Sequence, residues 1–121
     1  MHHIRTLVLG ASLNPERYSN MAVKKLLQYE YPVYAVGLRE GEINGVKIHS
    51  PGTPFDQIHT VTLYVGPQNQ PAYYDYILGL APRRVIFNPG TQNVDFEKKL
   101  RDAGIMVTHA CTLIMLSNHL F

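Results

Sequence analysis

The chain has 121 residues, 45% of them hydrophobic, and a formal net charge of +2 at pH 7. This length suits one domain with its own core. The small net charge gives no basis for a general nucleic-acid binder, and no apolar run approaches the roughly 18 residues of a membrane span. The single cysteine, Cys111, excludes an internal disulfide and is typical of a reducing cytoplasm, where we expect the protein to act.

The first predicted unit is a buried strand, a loop of small residues and a helix. Leu7-Val8-Leu9 is a short apolar run, as in a parallel strand covered on both faces. Gly10-Ala11-Ser12 lets the backbone turn sharply, and Ser19 or Asn20 is the predicted N-cap of a helix over residues 21–29. Because a helix N-terminus presents free N–H groups and a positive dipole end, this unit predicts a site for a phosphate or pyrophosphate.

The rest of the chain continues to alternate strands with helices. An Asn44-Gly45 pair predicts a small hairpin or extended loop over residues 42–49, and Thr53 is predicted to cap one helical turn over residues 55–58. The other predicted elements are strands at 33–36, 60–65, 84–87 and 105–108 and helices at 70–80, 93–103 and 112–117.

Alternating strands and helices with short connections predict right-handed crossovers and a parallel sheet. We therefore expect one α/β domain over residues 1–121, a doubly wound parallel sheet of about five strands in three α/β/α layers. Ligands of such sheets lie beyond the carboxyl ends of the strands, where strand order reverses. Glycine stands at four of the five predicted strand ends, namely Gly10, Gly37, Gly66 and Gly90.

The loop after the first strand departs from the Gly-x-Gly-x-x-Gly pattern of dinucleotide sites. Only Gly10 is present, because Ser12 and Pro15 stand at the second and third glycine positions. Arg39 follows the second strand, where an acidic residue usually holds the ribose hydroxyls. An arginine there suits a phosphate on the ribose, so the residues indicate either coenzyme A, with its 3′-phosphate, or NADP.

Several segments together resemble the small single-domain CoA-binding proteins related to the CoA-binding domain of the succinyl-CoA synthetase alpha subunit. One departure is Gly37-Leu38, where that family usually has Asn-Pro. The segments that carry the resemblance are LGASLNPERYSN at 9–20, GEINGV at 41–46, VTLYV at 61–65, FNPG at 87–90 and ACTLIM at 110–115.

The resemblance implies a Rossmann-type fold and coenzyme A as the ligand. In it, the first loop surrounds the phosphates, the end of the third predicted strand lines the adenine or pantetheine path, and the end of the fourth faces the same cleft. With the second strand end included, the predicted cofactor-binding residues are Gly10, Ala11, Ser12, Arg17, Tyr18, Ser19, Asn20, Gly37, Arg39, Val65, Gly66, Pro67, Asn88, Pro89 and Gly90.

No catalytic constellation or metal motif can be placed in the sequence. The histidine-bearing second domain of succinyl-CoA synthetase has no counterpart in 121 residues. Cys111 precedes the last predicted helix, where a thiol is activated, but we interpret it as a small buried residue and His109 as structural. We therefore predict a non-catalytic binding or regulatory module for CoA or an acyl-CoA. The alternative is an NADP-linked oxidoreductase domain, and a homodimer or a partner enzyme stays open.

Overall fold

Strands and helices alternate along the chain in the computed structural model, which describes residues 3–121. The elements are β1 (Thr6–Leu9), α1 (Tyr18–Gln28), β2 (Val33–Val36), β3 (Gly41–Ile43), β4 (Val46–His49), β5 (Thr60–Leu63), a 3-10 helix (Pro67–Tyr73), α2 (Tyr74–Leu80), β6 (Arg84–Phe87), α3 (Val94–Asp102), β7 (Met106–His109) and α4 (Thr112–Ser117).

The strands form one seven-stranded sheet in the order β3-β4-β2-β1-β5-β6-β7. All neighbouring pairs are parallel except β3 with β4, which is the predicted hairpin around Asn44-Gly45. The chain winds outward from β1 through β2 and then returns to β5 on the other side, so strand order reverses between β1 and β5. The predicted doubly wound α/β class is confirmed, and the hairpin adds two strands to the expected five.

Side chains of β1 alternate between the two faces of the sheet. Leu7 and Leu9 belong to a core that includes Phe96 of α3 and Ile77 of α2, whereas Val8 packs into the second core. That second core contains residues of α1 and α4, and these two helices also contact each other. Because each face of the sheet is buried under two helices, every residue of β1 and β5 is buried, as the apolar run at 7–9 predicts.

Three predicted boundaries are wrong. The α1 helix begins at Tyr18 with Arg17 as its N-cap, so Ser19 and Asn20 lie buried inside the first turn. The strand predicted over 60–65 ends at Leu63, and the following helix starts early, at Pro67, as a 3-10 helix. Proline at the first position favours this early start. Pro71 has no N–H and therefore cannot donate an α-helical hydrogen bond, so the α-helix begins only after it, at Tyr74.

The predicted helical turn at 55–58 is also wrong, because no helix forms there. The Thr53 hydroxyl instead donates to the Ser50 carbonyl at 2.7 Å, across the turn at Pro51-Gly52. Threonine therefore stabilises the preceding turn rather than capping a helix. Among residues 3–121, no helix is long and apolar enough to cross a membrane.

Candidate functional site

Two glycines let the loop after β1 pack directly against the neighbouring strand ends. Gly10 has φ +95°, and a Cβ added there would lie 2.8 Å from the Tyr64 carbonyl oxygen. A Cβ added to Gly37 would lie 2.2 Å from the Ala11 carbonyl oxygen. Both distances are shorter than van der Waals contact, so the first loop is held between the ends of β2 and β5, at the point where strand order reverses.

The first backbone donors of this loop are used inside the protein. The N–H groups of Gly10 and Ala11 both donate to the Val36 carbonyl, each at 2.9 Å. Free N–H groups were expected in this loop, and these two residues do not supply them. They anchor the loop to β2, so any backbone donors available to an anion lie further along the chain.

Those donors lie at the N-terminus of α1. The first helical hydrogen bond runs from the Met21 N–H to the Arg17 carbonyl at 3.2 Å, and no side chain caps the helix. The N–H groups of Tyr18, Ser19 and Asn20 therefore have no partner from a capping side chain, and no acidic residue stands in the first turn. This arrangement combines unpaired donors with the positive end of the helix dipole and suits an anion.

Polar side chains hold the loop between β1 and α1 in shape. The Ser12 hydroxyl accepts from the Asn14 N–H at 3.1 Å, and the Asn14 side-chain oxygen accepts from the Glu16 N–H at 3.0 Å. From α1, the Asn20 amide donates to the Ser12 carbonyl at 2.9 Å, while its Oδ1 is buried without a partner. These internal hydrogen bonds hold the loop in one conformation without a ligand.

A buried glutamine joins the loops after β5 and β6. Gln70, which is fully buried, donates to the carbonyls of Val65 at 2.9 Å and of Thr91 at 2.6 Å. Its own oxygen accepts from Asn93 Nδ2 at 2.9 Å, and the same nitrogen donates to the Tyr74 hydroxyl at 2.8 Å. Asn93 is also the N-cap of α3. This satisfied network fixes the relative positions of the two strand ends.

Asn88, at the end of β6, uses its whole side chain within the protein. Its Nδ2 donates to the Thr62 hydroxyl at 2.7 Å and to the Leu63 carbonyl at 2.9 Å. Its Oδ1 accepts from the Thr112 N–H at 2.9 Å. The side chain therefore links β5 and β6 to the first residue of α4. A contact between Asn88 and a ligand stays a prediction, and it would involve the backbone of Asn88.

Tyr64 and Cys111 lie beside each other beyond the ends of β5 and β7. Burial raises the pKa of Tyr64 to about 12, with a smaller contribution from Cys111, so the phenol stays neutral at neutral pH. Its hydroxyl lies near those of Thr62 and Thr112, which bond each other at 2.7 Å, and it makes no well-formed hydrogen bond of its own. Cys111 is partly buried and is the N-cap residue of α4.

His109, the last residue of β7, contacts a buried carboxylate of α3. Nε2 of His109 lies 2.6 Å from Oε1 of Glu97, whose side chain is only 6% exposed. The other Glu97 oxygen accepts from the Asn93 N–H at 2.9 Å, and the Arg101 guanidinium lies 3.8 Å from Oε1. Half of the His109 side chain is exposed, so the imidazole is oriented by the carboxylate and still open to solvent.

The other predicted site residues follow the same edge of the sheet. Arg39 is exposed after β2, next to Leu38, which is 86% exposed. Gly66 packs against the Gln68 side chain, and Pro67 begins the 3-10 helix. The remaining two, Pro89 and Gly90, are exposed after β6. Within residues 3–121, no three His, Cys, Asp or Glu side chains lie close enough together to hold a metal ion.

The doubly wound sheet and the open N-terminus of α1 at its switch point define a Rossmann-like α/β protein. A family model described as CoA binding domain matches residues 5–117. The chain therefore belongs to the CoA-binding domain family.

Solved structures share the fold over most or all of the chain. One described as an uncharacterized protein is 41% identical, with a TM-score of 0.96 and complete coverage of both chains. A hypothetical protein from Pyrococcus horikoshii OT3 is 29% identical, with a TM-score of 0.85 over 97% of this chain and 83% of that one. A comparison with curated proteins finds no match.

A more distant likeness shows the fold alone. The dinucleotide-forming acetyl-coenzyme A synthetase 1 of Ca. Korarchaeum cryptofilum, in complex with phosphate and ADP, is 18% identical. Its TM-score is 0.71 over 88% of this chain and 25% of that chain.

The amino-acid sequence does not predict the hydrogen bonds that hold the neighbouring strand ends together. Gln70 and Thr112 fall within the predicted helices at 70–80 and 112–117, where nothing local predicts their contacts, and no sequence pattern predicts the pairing of Glu97 with His109. Only the Asn93 to Glu97 spacing carries a local signal, because an N-cap asparagine followed by an acidic residue in the first turn indicates a capped helix start. The other contacts join residues far apart in the chain.

Proposed function

We propose that the protein binds coenzyme A or an acyl-CoA with its pyrophosphate at the N-terminus of α1. The support is the helix that begins with no side-chain cap beside a loop closed by Gly10 and Gly37. The donors are the N–H groups of Tyr18, Ser19 and Asn20. In this proposal the protein is a binding or regulatory module that holds CoA, and a partner supplies the group that reacts with it.

In this proposal the 3′-phosphate of the adenosine lies beyond the carboxyl end of β2. Arg39 is exposed there, and its guanidinium offers the charge and fork geometry that a phosphate takes. On the β5 side, Val65, Gly66 and Pro67 and the backbone of Asn88, Pro89 and Gly90 line the path of the pantetheine arm.

Coenzyme A is expected to raise the thermal unfolding midpoint more than dephospho-CoA, NAD or NADP. At about 100 times the Kd, binding to the native state alone stabilises by about 2.7 kcal/mol, which corresponds to roughly 10 °C for a domain of this size. In Arg39→Gln, CoA and dephospho-CoA are expected to give equal shifts. A thermal-shift titration measures both. A larger shift with NADP would overturn the proposal in favour of the oxidoreductase alternative.

Arg17→Asp is expected to stabilise the free protein and to weaken CoA binding at least tenfold. Aspartate is a favourable N-cap and adds about 1 kcal/mol by accepting from the first-turn N–H groups, but its charge then occupies the phosphate position. Calorimetry would measure the affinity and thermal unfolding the stability. Arg17→Gln, which removes the cation without adding a cap, is the matched control. Unchanged affinity in Arg17→Asp would place the pyrophosphate elsewhere.

A further inference from the structure

The Glu97–His109 pair is a chemically competent group that the binding role does not use. A carboxylate only accepts hydrogen bonds, so a neutral His109 must donate its Nε2–H to Glu97 across their 2.6 Å contact. This leaves the Nδ1 lone pair as the proton acceptor of the ring. A buried carboxylate that orients an imidazole in this way is the arrangement that general-base histidines use.

The pair lies at a distance from α1 that the pantetheine arm of a bound CoA can span. Two strands, β5 and β6, lie between β1 and β7, so the ends of β1 and β7 are about 14 Å apart at the usual strand spacing. The pantetheine arm, built of pantoate, β-alanine and cysteamine, has roughly the length of four extended residues, or about 14 Å. A CoA with its pyrophosphate at α1 and its arm along β5 and β6 is therefore long enough for the thiol to reach the end of β7.

We infer that His109, held by Glu97, is a general base for the thiol of bound coenzyme A. This inference rests on the proposed CoA site. The CoA S–H bond breaks, its proton moves to Nδ1 of His109, and the electron pair stays on sulfur as a thiolate. The imidazolium formed is stabilised by the Glu97 carboxylate. The protein thereby presents CoA as a nucleophile to an electrophile such as a disulfide or an acyl donor.

The test is the reaction of bound CoA with an aromatic disulfide whose released thiolate is coloured. The CoA thiolate attacks one sulfur, the aromatic thiolate leaves, and absorbance reports the rate. All proteins carry Cys111→Ser, which removes the single cysteine. The comparison is between this background and the same protein with His109→Gln, which can still donate to Glu97 but is not a base. Glu97→Gln is the second variant, and calorimetry gives each Kd for CoA.

At pH 7 we expect bound CoA to react about 30-fold faster than free CoA, because a free alkyl thiol with a pKa of about 8.5 or above is at most a few per cent thiolate. In His109→Gln, bound CoA is expected to react at the rate of free CoA, and that rate should again rise steeply with pH as it does for a free thiol. The Kd for CoA should stay within twofold of the parent value. A structural role alone would not change that pH profile. Equal rates for bound and free CoA, or for His109→Gln and its parent, overturn the inference. Failure of the parent to bind CoA overturns the proposed function instead.

Discussion

Gly37→Ala is expected to lower the free energy of unfolding by about 3 kcal/mol and to reduce CoA affinity at least tenfold. The new Cβ would lie 2.2 Å from the Ala11 carbonyl oxygen, and overpacking of a buried contact costs about 1–3 kcal/mol or more. Relief requires the loop after β1 to move away from β2. That movement strains the bonds from Gly10 and Ala11 to the Val36 carbonyl, which position the loop before α1.

Denaturant unfolding and CoA calorimetry measure these two effects. Gly79→Ala is the matched control, because Gly79 is an exposed position in α2 where an added Cβ meets nothing within 4 Å. There alanine is expected to stabilise by roughly 0.5–1 kcal/mol through its helix propensity and to leave CoA binding unchanged. If Gly37→Ala binds CoA with normal affinity, the contact between β2 and the first loop does not shape the site.

Asn88→Leu is expected to destabilise the protein by about 3–5 kcal/mol, although leucine is similar in size. The substitution removes the Asn88 bonds to the Leu63 carbonyl and the Thr112 N–H, and it leaves the Thr62 hydroxyl with only its bond to Thr112. Each buried polar group left unsatisfied costs about 1–3 kcal/mol. Because these groups belong to β5 and α4, the loss should also loosen the start of α4.

Denaturant unfolding gives the size of the loss, and hydrogen exchange of the α4 amides gives its location. Asn69→Leu makes the same chemical change at an exposed position of the 3-10 helix and is expected to stay within about 0.5 kcal/mol of the parent. A loss in Asn88→Leu no greater than that of Asn69→Leu would show that the three bonds contribute little net stability.

Much of the fold follows from local patterns in the chain. Short apolar runs predict the parallel strands, Asn44-Gly45 predicts the hairpin, and the start and end of α4 coincide with their prediction at 112–117. Boundaries fail where tertiary packing overrides local preference. Ser19 and Asn20 are good N-cap residues, yet both are buried in the first turn of α1, where the Asn20 amide braces the first loop.

The amino-acid sequence by itself determined the class of fold, the position of the first loop and the identity of the family, because strand runs, turn residues and family segments are local in the chain. Only the tertiary structure decided which groups serve the site. The N–H groups of Gly10 and Ala11 turn out to be engaged with Val36, and the Asn88 side chain with β5 and α4. His109 acquires a buried carboxylate from α3. Such roles depend on hydrogen bonds between elements that are distant in the chain. Contacts of this kind leave no periodic pattern in the sequence, so the sequence alone does not predict them.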